Sequence, residues 1–101
     1  MKQKSPSTYQ KTVLDNGLRV LSHSMPGARS VSVCIYVGAG SRYEDDSHAG
    51  ISHYLEHMLF KGTHRRPSSV EISSPIEEVG GMTNGATDRE LTSFWCKVAT
   101  P

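Results

Sequence analysis

The chain has 101 residues, with 11 Lys and Arg against 10 Asp and Glu, so its formal net charge at neutral pH is only +1. This length allows one small domain at most, and the balanced charge with scattered basic residues argues against nucleic-acid binding. The sequence shows no apolar run that fits a membrane span or a signal-peptide core, so no membrane contact is expected. A cytoplasmic location is therefore favoured.

The first third of the chain predicts strands. Residues 1–11 are polar and are predicted to be a flexible lead-in, with structured residues at 12–101. Apolar runs on both sides of Asn16-Gly17 predict a hairpin, because glycine adopts positive φ without strain. Ser30–Val37 alternates apolar and polar residues, which predicts a strand, and Gly38-Ala39-Gly40 predicts a sharp turn after it.

The two cysteines, Cys34 and Cys96, lie in separate strand-like runs and form no Cys-x-x-Cys pair. Buried free thiols in a reducing compartment are the expected state. The sequence leaves a disulfide between them open.

The residues from Gly50 to Thr63 predict an amphipathic helix ended by Gly62, with Asp46 or Ser47 as its N-terminal cap. Its apolar residues recur at helical spacing and predict one buried face: Ile51, Leu55, Met58 and Leu59.

Three polar residues share one surface of this helix. His53 and His57 are one turn apart, and Glu56 lies beside them. Two imidazole nitrogens bound to a tetrahedral zinc ion sit roughly 3.3 Å apart, which this spacing allows. Glu56 is then placed to take a proton from a zinc-bound water as that water attacks a peptide carbonyl. The alternative interpretation of residues 53–57 is an ordinary helix surface whose histidines and glutamate are only solvated.

The rest of the chain predicts a second helix and two further strands. Ser68 or Ser69 is predicted to cap a helix in which Pro75 introduces a kink or a restart. Met82–Ala86 predicts a short strand, and Leu91–Val98 predicts a central strand because both of its faces carry bulky apolar residues. The predicted fold class is α+β, with an antiparallel or mixed sheet packed with helices.

The order His-x-x-Glu-His is typical of inverzincins, and the whole run Gly-Ile-Ser-His-Tyr-Leu-Glu-His-Met-Leu-Phe-Lys-Gly-Thr closely resembles the signature of the pitrilysin/insulinase family of zinc peptidases. Asn16-Gly17-Leu18-Arg19-Val20 and Gly40-Ser41-Arg42-Tyr43-Glu44 are similar to other segments of that family. The resemblance extends from about residue 16 to residue 99.

The resemblance implies the role of each site residue. His53 and His57 would bind Zn²⁺, and Glu56 would be the general base. Asn84 and Gly85 would lie on the strand that binds an extended peptide substrate by β-augmentation, although Asn84 beside a glycine also fits an ordinary turn. Thr87 and Glu90 are expected to be structural, and Gly85 replaces the family's usual alanine.

The resemblance also implies what this chain would need from elsewhere. The family's third zinc ligand is a glutamate on a later helix, whereas a catalytic zinc needs three protein ligands. The chain is therefore expected to be an incomplete N-terminal part of a pitrilysin-type zinc metalloendopeptidase, inactive alone. Its expected partners are a peptide or protein substrate and the remaining peptidase domains or a homologous subunit. A non-catalytic homologous subunit and a metal-binding structural module are the alternatives.

Overall fold

The N-terminal part forms an antiparallel hairpin of β1 (Thr8–Val13) and β2 (Arg19–Ser24). The computed structural model describes residues 8–101. The turn contains Gly17 at φ +84°, and Asn16 Oδ1 accepts a hydrogen bond from Leu18 N at 3.0 Å. The predicted Asn-Gly hairpin is therefore present. Its first strand takes in residues 8–11, which the sequence assigned to the lead-in; the rest of that segment, residues 1–7, lies outside the described part.

A second sheet has three antiparallel strands, β3 (Ser30–Val37), β4 (Met82–Thr87) and β5 (Thr92–Ala99), in the order β3-β5-β4. The central position of β5 agrees with its two apolar faces. Within residues 8–101, β4 pairs with β5 alone, so its other edge is free. With two helices, these antiparallel sheets confirm the α+β class.

Two nine-residue helices connect β3 to β4: α1 (Ile51–Leu59) and α2 (Ser69–Glu77). Helix α2 begins with a capping box, in which Ser68 and Glu71 satisfy each other's backbone N–H groups. Pro75 lies inside α2 without dividing it, since Glu78 N still donates to Ser74 O at 2.9 Å.

The start of α1 differs from the prediction that Asp46 or Ser47 caps it. A separate 3₁₀ turn, Asp46–His48, comes first and is capped by Asp45. Helix α1 then begins after Gly50, whose φ of +90° is readily adopted only by glycine. Asp46 and Ser47 therefore belong to the 3₁₀ turn, and no described side chain caps the start of α1.

The described residues form no fully buried apolar core. Of residues 8–101, only Gly40 and Thr92 are buried. The apolar stripe of α1 is exposed, with Leu55 at 57% accessibility, so the burial predicted for that face does not occur within this chain. The Cα radius of gyration is 17.0 Å, compared with about 13 Å for a compact domain of 100 residues. The described residues are therefore more extended and more exposed to solvent than a compact domain of this length.

Both cysteines are free thiols. Cys34 is exposed and Cys96 is half-buried, so the expected burial is wrong for Cys34. Cys34 pairs across the strands with Trp95, and Cys96 pairs with Val33, which places the two side chains on opposite faces of the sheet.

Neither described helix has the length and hydropathy needed to cross a membrane.

Candidate metal centre and cleft

Helix α1 brings His53 and His57 together. Their Nε2 atoms are 2.9 Å apart, and their ring centroids are 4.6 Å apart with the planes tilted by 54°. Both imidazoles are exposed to solvent. The i, i+4 spacing on a regular helix produces this convergence, as the sequence predicted.

This pair fits two of the ligands of a zinc ion. Zinc takes imidazole nitrogens at about 2.0–2.1 Å, which in a tetrahedral site separates the two nitrogens by roughly 3.3 Å. The observed 2.9 Å needs to increase by only a few tenths of an ångström, a small rotation of either ring. The two Nε2 atoms therefore lie close enough together to bind one metal ion.

The third ligand is missing from the structured part of this chain. Within residues 8–101, no three His, Cys, Asp or Glu side chains converge in a metal-binding arrangement. Residues 1–7 contain none of these four residue types. Among residues 8–101, the candidate ligands that lie together are therefore His53 and His57.

Glu56 lies on the face of α1 that packs against β4. Its Oε2 accepts a hydrogen bond from the hydroxyl of Thr87 at 2.5 Å, and both side chains are half-buried. The helix comes this close because position 85 has no side chain. A Cβ at Gly85 would lie 3.2 Å from Glu56 Cγ and 3.0 Å from Phe60 Cε2.

An open cleft of about 520 Å³ lies between the start of α1 and the end of β4. Its walls combine carboxylates with an imidazole and a guanidinium. Glu44 belongs to its wall: Oε1 accepts a hydrogen bond from Gly50 N at 3.0 Å, and Oε2 is buried without a protein partner among the described residues. The lining residues are Ser41, Glu44, Gly50, His53, Glu56, Ala86, Thr87, Asp88 and Arg89.

Asn84 and Gly85 occupy the middle of β4, next to the free edge of the sheet. Asn84 is exposed, and its Oδ1 accepts a hydrogen bond from Gly85 N at 2.9 Å. Asn84 therefore lies in a regular strand and not in a turn. Its position fits the strand assignment that the resemblance implied.

The turn after β4 is attached to the turn after β3. Arg42 N donates to Arg89 O at 2.8 Å, and Ser41 N donates to Asp88 O at 3.3 Å. The side chains of Arg42 and Glu90 form an ion pair above these bonds. Gly40 is buried at this contact, and a side chain there would not fit, because a Cβ would lie 2.3 Å from Asp88 O. We call this arrangement of residues 40–42 against 88–90 the two-turn clamp.

Sequence reasoning missed the clamp and the contact of Thr87 with Glu56. It assigned Gly40 to a sharp turn and assigned Thr87 a structural role. The spacing carried one clue: Thr87 is two residues after Gly85 and therefore lies on the same face of the strand, toward α1.

The combination of an inverted His-x-x-Glu-His helix, an adjacent open-edged strand and a cleft between them defines a metallopeptidase-like site. The chain belongs to the insulinase family, peptidase family M16, whose family model matches residues 19–100.

Individual relatives give the same result. The chain is 45% identical over 87 residues to a protein of Arabidopsis thaliana named probable mitochondrial-processing peptidase subunit beta, covering 86% of this chain and 16% of that protein. It is 43% identical over 91 residues to an uncharacterized zinc protease of Streptomyces coelicolor, covering 90% of this chain and 20% of the relative. A protease from Helicobacter pylori has the same fold over 92% of this chain and 22% of its own, with a TM-score of 0.83 and 29% sequence identity. The chain thus spans about a fifth of the length of the curated relatives it matches.

Proposed function

We propose that this chain supplies the metal-binding helix and general base of a zinc-dependent metalloendopeptidase that hydrolyses extended peptides. One observation carries the proposal: the Nε2 atoms of His53 and His57 lie 2.9 Å apart, and Glu56 lies beside them on the wall of an open cleft. The family membership and the zinc-protease names of relatives support the same chemistry.

His53 and His57 would hold the zinc ion through Nε2. When bound, zinc supplies a Lewis acid that polarises a carbonyl oxygen and lowers the pKa of a water toward 7. Glu56 would accept the proton of the attacking water and transfer it to the amine that leaves. Since Oε2 of Glu56 is held by Thr87, the proton would be carried on Oε1.

The substrate would bind along β4. The free edge of this strand offers unpaired backbone groups, to which an extended peptide can add as a further strand. Gly85 N already donates to Asn84 Oδ1, so Asn84 would rotate away and give its amide to the peptide backbone. Because Gly85 has no side chain, the peptide could approach Glu56 closely at this position.

We further propose that the third zinc ligand and the opposite wall of the cleft come from polypeptide outside this chain. In support, the described residues provide only two converging histidines, and relatives are about five times as long. We expect the 101-residue chain alone to show little or no peptidase activity. Chelator-sensitive cleavage of a peptide by the isolated chain would contradict this.

The test is the substitution Glu56→Gln in the full-length polypeptide that contains this chain. We expect peptide hydrolysis to fall by at least a hundredfold while the zinc content per chain stays at the wild-type value, because a general base acts on the reaction and not on the metal. Glu77→Gln, an exposed helical carboxylate away from the cleft, is the matched control and should leave both quantities unchanged. Retained hydrolysis in Glu56→Gln would disprove the assignment, and retained zinc in His53→Ala combined with His57→Ala would disprove the metal site.

A further inference from the structure

We propose that Thr87 is a positioning residue for the reaction: its hydroxyl fixes one oxygen of Glu56, so that the other oxygen faces the reacting water. This inference rests on the proposed function. The observation behind it is the 2.5 Å hydrogen bond from Thr87 Oγ1 to Glu56 Oε2, between residues 31 positions apart in the sequence.

This hydrogen bond gives the two carboxylate oxygens of Glu56 different surroundings. Oε2 accepts from Thr87, whereas no side chain or backbone group of residues 8–101 donates to Oε1. Glutamate has three rotatable side-chain bonds, and an unrestrained carboxylate on a helix surface turns freely in water. With Oε2 tied to the strand, the remaining freedom of the carboxylate is small, and Oε1 keeps a constant direction.

Thr87 is well suited to hold another side chain. It is β-branched, so its χ1 torsion is restricted, and it is the last residue of β4, paired with the buried Thr92. The hydroxyl of Thr92 donates to Ala39 O at 2.8 Å, and the two-turn clamp begins at the next residue, Asp88. The end of β4 that carries the Thr87 hydroxyl is therefore held in place by its pairing with β5, by the hydrogen bond of Thr92 and by the two-turn clamp.

A purely structural tie between α1 and β4 is the competing explanation, and the two differ in what the loss of the hydroxyl changes. A structural tie would alter helix packing, and with it zinc retention and substrate affinity. A positioning bond would lower kcat while zinc content and KM stay close to wild type, because a misdirected base affects only the chemical step.

The experiment compares three variants of the full-length polypeptide, with kcat and KM for a peptide substrate and zinc per chain measured for each. Thr87→Val keeps the shape and removes the hydroxyl; we expect kcat to fall tenfold to a hundredfold, with KM and zinc content within twofold of wild type. Thr87→Ser keeps the hydroxyl and should retain at least a third of wild-type kcat. Thr12→Val is the control, because it removes the hydroxyl of an exposed threonine on β1, a strand that does not line the cleft, and it should leave kcat within twofold.

Unchanged kcat in Thr87→Val, or a loss of zinc equal to its loss of kcat, would overturn the proposal. So would a Thr87→Ser variant as impaired as Thr87→Val. If Thr87→Val does not fold, as judged by circular dichroism, Thr87→Ala replaces it and the serine comparison decides.

A crystal structure of Thr87→Val separates this inference from the proposed function. We expect the Glu56 carboxylate to be rotated or disordered there, whether or not the wild type hydrolyses peptides. A Glu56 carboxylate in its wild-type position would refute the role of Thr87. A rotated carboxylate in a protein without zinc-dependent activity would instead refute only the proposed function.

Discussion

Gly40 gives the strongest test of how the cleft is held in shape. In Gly40→Ala, the new Cβ would lie 2.3 Å from Asp88 O and 2.7 Å from both the carbonyl carbon and oxygen of Arg89. All three atoms are backbone, so no side-chain rotation relieves the contact. The 88–90 turn must move away, and the two backbone hydrogen bonds of the clamp lengthen or break.

The magnitude follows from these contacts. Inserting a methyl group into a close-packed site costs about 1–3 kcal/mol, and each backbone hydrogen bond lost adds about 1 kcal/mol. If the two bonds lengthen without breaking, the local destabilisation is about 1–3 kcal/mol and accelerates amide exchange by roughly 5- to 150-fold, since about 1.4 kcal/mol corresponds to a factor of ten. Each bond that breaks adds a further factor of about five.

Hydrogen exchange of the full-length polypeptide, followed by mass spectrometry, measures this in peptides that cover residues 39–43 and 88–91. Gly38→Ala is the matched control: it lies in the same turn, and its new Cβ would meet nothing within 4 Å. We expect its exchange to stay within about threefold of wild type. Equal protection in Gly40→Ala and Gly38→Ala would refute the argument that close backbone approach at Gly40 builds the clamp.

Two further predictions concern the elements beside the cleft. Ser68→Ala removes the capping box of α2 and should accelerate exchange of the first α2 amides by roughly fivefold, the equivalent of about 1 kcal/mol; Ser69→Ala is the control, and equal rates in the two variants would contradict the cap. Hydrogen bonds from Ser47 and then His48 hold the pKa of Asp45 below its ordinary value of 3.8. The carboxylate therefore stabilises the 3₁₀ turn above its ordinary pKa, and this contribution is lost as the pH falls through the lowered pKa. Ser47→Ala should raise the pKa of Asp45 toward 3.8 in an NMR titration; an unchanged pKa would show that Ser47 is not the main cause.

The features that local sequence determines were predicted well. Asn16-Gly17 specified its hairpin because the turn requires positive φ, and Gly17 has it. The His53 and His57 geometry followed from helical spacing alone. The two apolar faces of β5 indicated its central place in the sheet before its neighbours were known.

The features that depend on distant contacts were not predicted. The apolar spacing of α1 indicated a buried face, but no other described residue covers Leu55, which stays 57% exposed. The hydrogen bond from Thr87 to Glu56 joins a strand end to a helix, and no local pattern encodes that meeting. Asp46 or Ser47 was predicted to cap α1, yet both belong to a separate 3₁₀ turn and the residue that precedes the helix is Gly50.

The absence of a side chain at position 85 leaves the space in which α1 side chains approach β4 closely. Phe60 and Glu56 occupy the space that any larger residue would fill, at 3.0 and 3.2 Å from the point where a first carbon would stand. A methyl group at position 85 would press on these two side chains, and Phe60 and Glu56 would each have to shift by a few tenths of an ångström. A change at this one position in a relative would therefore alter the placement of the Glu56 side chain without altering Glu56 itself.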